Sequence, residues 1–302
     1  HQFFVGENPP TDAIIQMQVM REVDELELHI YDSGGRLVRM LEAPESRRAP
    51  GVRTMCWDQR VQPIAPPDLG EAEPQGGGGN RFGGGGGGAE EVPGIPSPQP
   101  EAGFRSRDVC SGLNTPGQSG PYVTPGDYRV DLVANGVVVD SEPMRIHQDP
   151  EVLMNATERM AYDNVVMDLH EMQRRGTEMA ARLTRLYRAM EGAAEDIEGG
   201  ADVPGDVEDD FEDFQEAFEA LRPRFGVPLG QRGGGDGNAL QRVAQVKGSI
   251  SAFWETPSDA LVGAYYDAKA DLVSAMDEAD ALMATARALS AALGEAGVEM
   301  EV

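Results

Sequence analysis

Apolar residues recur at alternating steps of three and four through four stretches of the second half of this chain. The first half instead alternates apolar and polar residues one by one. The longest of the four stretches lines up Tyr162, Val165, Leu169, Met172, Gly176, Met179, Leu183, Leu186, Met190, Ala193 and Ile197. A repeat averaging 3.5 residues keeps one helix face turned toward a neighbour, so it predicts a long, packed helix. Asn155 is its expected N-cap, and Gly199-Gly200 its end. A second helix is expected from about Asp206 to Leu221, with Val207, Phe211, Phe214, Phe218 and Leu221 on one stripe. Pro223 and a glycine-rich stretch through Gly237 interrupt it. A third carries Ala239, Val243, Val246, Ile250 and Phe253 in the same rhythm.

Thr256-Pro257 reads as a cap followed by a first helical residue. The last helix, from about Ser258 to Leu293, aligns Leu261, Tyr265, Ala268, Leu272, Ala275, Ala279, Leu282, Ala286, Leu289 and Leu293. So many alanines at a seam let a neighbour approach closely. The two short helices together match either long one in length. Residues 151–302 are therefore expected to form an elongated antiparallel helical bundle whose middle member is broken by the 222–236 loop.

In the first half, Ala13 to Met20, Leu26 to Tyr31, Arg36 to Leu41, Val52 to Trp57, Tyr128 to Ala134 and Val137 to Ile146 read as strands. Strict alternation suits antiparallel strands with one buried face. Asn135-Gly136 is a strong two-residue hairpin signal. About seven short strands in a domain of this size predict an immunoglobulin-like β-sandwich over residues 1–150. Within it, residues 61–120 break the pattern with Gly76 to Gly79, Gly83 to Gly88 and many prolines. Such a segment buries too little apolar surface to offset its ordering entropy, so it reads as a flexible insertion. A phosphate-binding loop would need a strand before it, a helix after it and a Gly-Lys-Ser/Thr, none of which follows.

Charge narrows the choice of partner. The formal net charge of the 302 residues is −27, divided as −10 over 1–150 and −17 over 151–302. That surface repels phosphate backbones and anionic lipid, which argues against nucleic acid and against a membrane surface. No run of 18 or more apolar residues spans a bilayer as a helix.

The residues Gly6-Glu7-Asn8-Pro9-Pro10, Asp32-Ser33-Gly34-Gly35-Arg36-Leu37-Val38-Arg39, Trp57-Asp58-Gln59-Arg60, Pro125-Gly126-Asp127-Tyr128-Arg129-Val130 and Asp149-Pro150 carry a resemblance. The chain resembles the C-terminal part of exported bacterial sortilin-like proteins with BNR-type β-propellers. There, an Ig-like domain similar to that of flagellar hook-capping proteins precedes a helical tail. The Ser-x-Asp-x-Gly-x-x-Trp boxes of the propellers are missing, so no propeller activity transfers. What the resemblance implies is an extracytoplasmic location, in the periplasm or at the cell surface.

Candidate chemistry is sparse. The four histidines, His1, His29, His147 and His170, are isolated from one another and from both cysteines, and neither Gly-x-Ser-x-Gly nor Glu-x-x-His occurs. The run Glu208, Asp209, Asp210, Glu212, Asp213 and Glu216 lacks calcium-loop spacing and reads as a solvated helix face. Cys56 and Cys110 are expected to form a disulfide that ties off the insertion. Met160 and Met167 fall off the helical seam, and together with Phe82 and Phe104 of the insertion they are the candidate contacts with partner proteins. The expectation is a non-catalytic scaffold protein without cofactor, binding other protein subunits. A narrower form is a peripheral subunit of a large membrane-bound assembly. Ig-plus-helix chains of this shape resemble accessory subunits of bacterial photosynthetic reaction-centre complexes. The alternative is the C-terminal accessory portion of an exported sortilin-like hydrolase whose chemistry lies upstream.

Overall fold

The computed structural model describes residues 12–66, 120–229 and 237–302. Six strands come first: β1 (Ala13–Val19), β2 (Leu26–Asp32), β3 (Leu37–Glu42), β4 (Gly51–Trp57), β5 (Gly126–Ala134) and β6 (Val137–Ile146). Four helices follow: α1 (Ala156–Glu198), α2 (Gly205–Leu221), α3 (Ala239–Ser251) and α4 (Asp259–Glu295). The described residues thus hold six strands where about seven were expected.

The strands form two antiparallel sheets, one in the order β3-β2-β5-β6 and one of β1 with β4. Each element follows from local chemistry. Asn135 and Gly136 both take positive φ, 50° and 76°, and so turn β5 tightly into β6. The Asn135 side chain then accepts hydrogen bonds from the Asp24 and Glu25 amides, pinning the entry to β2. Leu26, Leu28 and Ile30 point into one core with Val19, Met55 and Trp57 of the smaller sheet. Trp57 is fully buried, meets Tyr128 edge to face at 5.9 Å, and donates from Nε1 to the Arg60 carbonyl. Residues 61–66 belong to this unit rather than to the insertion. Val61 and Ile64 are buried, and the Gln62 amide bonds the Val38 carbonyl.

Asn155 caps α1 as expected: its side chain accepts from the Thr157 and Glu158 amides, and Glu158 bonds back to the Asn155 amide. At 43 residues, α1 is about 64 Å long. Its seam is buried or half-buried throughout, and Leu183 is wholly enclosed. Residues 222–238 separate α2 from α3. Lys247 of α3 reaches His170 of α1, and Leu240 packs over Gly176, so α3 runs antiparallel to α1. Gly176 permits that approach, since a Cβ there would lie 2.3 Å from Leu240 Cδ2. Asp168 meets Tyr265 and Lys269, and Gly176 faces Leu272, so α4 runs the same way as α1.

Two expectations shift. The cap of α4 is Ser258, whose hydroxyl accepts from the Leu261 amide, rather than Thr256. Phe253 lies beyond the end of α3 and is exposed, because the helix stops at Ser251 before the stripe completes another turn. The acidic run of α2 is exposed along its length, as expected of a solvated face.

Candidate functional site

The joint between the sheets and the helices gathers most of the unusual side-chain chemistry. Three segments meet there: the residues after β4, the residues before β5, and the first turns of α1. The connection from α3 to α4 closes over them. It delivers Trp254, which lies 5.5 Å from Tyr122 and 5.8 Å from Tyr162 between ring centroids. The buried Arg159 guanidinium sits 4.0 Å over the Trp254 ring and pairs with Asp163 at 3.2 Å. Asp163 in turn accepts from the Thr124 hydroxyl at 3.0 Å. Arg60 covers Tyr122 at 3.7 Å and donates to the Gly120 carbonyl. The result is a ladder of rings flanked by guanidiniums running from the β-unit to α1, in which Arg159 both pairs with a carboxylate and packs while Arg60 packs and bonds a carbonyl.

About two turns beyond Asp163 along α1, His170 bridges the units. Its Nε2–H donates to the Gln62 carbonyl at 3.0 Å, and Nδ1 accepts from the Lys247 ammonium at 3.4 Å. That arrangement needs a neutral imidazole. Burial pushes His170 down to about 4, and the Lys247 charge adds to the shift. Burial also pushes Lys247 down to about 8, with Arg60 adding its repulsion. Tyr128, at the sheet side of the joint, is pushed up to about 12 by burial and then by Asp32.

The space enclosed by this cluster is small. A cavity of about 50 Å³ lies among Asp32, Arg60, Tyr162, Asp163, Ser251 and Trp254. Its volume suits a few ordered waters, held by those polar groups among apolar neighbours such as Val61, Val123 and Val166. A wider groove of about 800 Å³ lies at the far end of the helices, where Arg182, Arg185, Arg188 and Arg287 face Glu195, Asp196, Glu299 and Glu301. A second polar cluster ties α1 to α4: the Tyr265 hydroxyl and the Lys269 ammonium both donate to Asp168 Oδ2, at 2.7 and 2.8 Å. Among the described residues, no group of three or more His, Cys, Asp or Glu is placed to hold a metal ion.

Among the described residues, those singled out from sequence do not converge. Met160 is exposed on α1. Met167 turns toward the sheets and packs against their core, so within this chain it already has a partner. Cys56 is buried at the end of β4 and is disulfide-bonded. Cys110, Phe82 and Phe104 lie outside the described residues. Sequence reading missed Arg159, Tyr122, Trp254 and Lys247. The one signal available was Trp254 itself, a large aromatic in a short inter-helix connection.

No family model, curated protein or solved structure matches this chain. No helix of the described residues is long and apolar enough to cross a membrane.

Proposed function

We propose that this chain is a non-catalytic extracytoplasmic scaffold: an Ig-like sandwich joined stiffly to an elongated antiparallel bundle, binding other protein subunits. The sandwich reading draws on Tyr128, whose hydroxyl donates to the Thr124 carbonyl four residues upstream, as in the tyrosine corner of Ig-like domains. The bundle reading draws on a single apolar cluster that takes in seam residues of all four helices.

The observation that carries the functional reading is how α1 is held. The contacts of α1 with the β-unit include Asp163 with Thr124, Met167 against the sheet core and His170 with Gln62, and residues 175–198 run on beyond them. At the helical rise those 24 residues project about 36 Å. A ladder of rings and guanidiniums at one end and a packed arm at the other is a geometry for holding partners apart. The polar groups of the joint bond to one another: Arg159 to Asp163, Thr124 to Asp163, and His170 to Gln62 and Lys247.

Cross-linking followed by mass spectrometry on the assembly purified from its source tests the reading. Cross-links from the arm and the β-unit to two different chains are expected. A monomeric protein that cleaves a glycoside or peptide with an essential carboxylate would overturn it.

A further inference from the structure

Among the described residues, two of the four outer sheet edges are closed by recognisable devices and a third carries a single side-chain contact. Along β3, the segment after β4 lies against the edge: the Gln62 amide bonds the Val38 carbonyl, and Gln62 Oε1 accepts from the Met40 amide at 3.0 Å. On β6, the register slips opposite Leu132 and Val133, the Ser141 amide is taken by Asp140 Oδ1 at 2.9 Å, and Pro143 has no amide proton. On β4, Arg47 donates to the Thr54 carbonyl.

Among the described residues the fourth edge has none of these. β1 reads Ala13-Ile14-Ile15-Gln16-Met17-Gln18-Val19, with no charge, proline or glycine, and pairs with β4 in unbroken register. Among the described residues β4 is its only strand neighbour. Thr54 lies opposite Gln16, and its carbonyl turns away from β1 to meet Arg47. Opposed residues of an antiparallel pair turn their backbone groups the same way, either both inward or both outward. Ile14, Gln16 and Gln18 therefore present their amides and carbonyls to the open edge.

We infer that the outer edge of β1 accepts an extended segment of a basic partner protein as an added strand. This rests on the scaffold reading and names its docking edge. The backbone supplies the hydrogen bonds, and the side-chain pattern supplies selectivity. Ala13, Ile15 and Met17 pack partly against the sheet core while Ile14, Gln16 and Gln18 are exposed. The added segment thus needs apolar residues at alternate positions to extend the core. A net charge of −27 favours basic flanks on that segment and disfavours a second copy of this chain.

The probe is a synthetic peptide of alternating Val and Thr flanked by Lys, and the readout is amide hydrogen exchange of the full chain. Exchange at Ile14, Gln16 and Gln18 is expected to slow on the order of tenfold with peptide. A peptide with Pro at alternate positions should leave exchange unchanged, and so should a Gln16→Pro chain. The peptide control stands even where Gln16→Pro fails to fold. No slowing at saturating peptide overturns the proposal. So does slow exchange in the chain alone, which means its own residues cover the edge, or concentration-dependent slowing without peptide, which means a second copy does. A chain that shows the slowing and also turns over a substrate would sink the scaffold reading and leave this edge assignment standing.

Discussion

The indole of Trp254 lies against the ring of Tyr162 with centroids 5.8 Å apart and planes tilted by 32°, and Arg159 packs over its face. Through this contact the connection from α3 to α4 reaches back to the first turns of α1 and the β-unit at once. Three elements distant in sequence are fixed by one side chain, which makes it the best place to test whether the joint is stiff.

Trp254→Ala is expected to lower stability by about 2 kcal/mol. That is less than the loss for a fully buried Trp, because Trp254 is 37% exposed. Arg159 loses the nearer of its two ring contacts in the same variant, so a double-mutant cycle with Arg159→Ala should show coupling of about 1 kcal/mol. Urea denaturation of the four proteins measures both. Strict additivity would mean that the ladder is a coincidence of packing.

Leu183→Ala tests the long seam. Leu183 is fully buried in the shared helical core, and the expected loss is about 2–5 kcal/mol. A loss below about half a kcal/mol would place the site outside a well-packed core.

Much of this architecture is legible in the sequence, and the misses have a common cause. The seam of α1 stands out because helix period and burial coincide along one stripe. Yet Val166, His170, Gln173, Ala180 and Thr184 are buried as well, on a second stripe with polar members. Periodicity reports one apolar face, whereas α1 packs on several sides, against the β-unit as well as α3 and α4. Thr184 is tolerated there because its hydroxyl donates to the Ala180 carbonyl and accepts from the Leu229 amide. No pattern of apolar residues discloses such a group. The joint was illegible for the same reason. Arg60, Tyr122, Arg159 and Trp254 come from four segments, and only the fold brings them together.

The cysteines should pair. Only two exist in the chain, and a bond between Cys56 and Cys110 closes a loop of about 55 residues. In the chain-entropy model that constraint is worth roughly 4 kcal/mol. Thiol titration of the denatured, unreduced protein should find no free thiol, and reduction should release two and lower the unfolding midpoint. Two free thiols before reduction would rule the pairing out, and with it the support it lends to an oxidising compartment.

The His170–Lys247 contact makes stability depend on pH with a definite sign. Both groups titrate lower in the folded chain than outside it: His170 near 4 rather than 6.5, and Lys247 near 8 rather than 10.5. The unfolded chain therefore takes up each proton first as pH falls. The His170 contribution is whole above about 6.5 and is lost as pH drops toward about 4. The Lys247 contribution is whole only above about 10.5 and is lost as pH drops toward about 8, so at neutral pH the buried ammonium already weighs against folding. Its burial matters because, among the described residues, no carboxylate lies within ion-pair distance of it. Lys247→Met removes this titration. The stability of the parent relative to the variant should rise as pH increases from 8 to 10.5 and stay flat from 7 to 8. His170→Gln should likewise remove the part of the acid sensitivity that lies between 6.5 and 4. Urea midpoints across pH 4 to 10.5 check both, and a parent–variant difference that does not move with pH would show that neither proton is coupled to the joint.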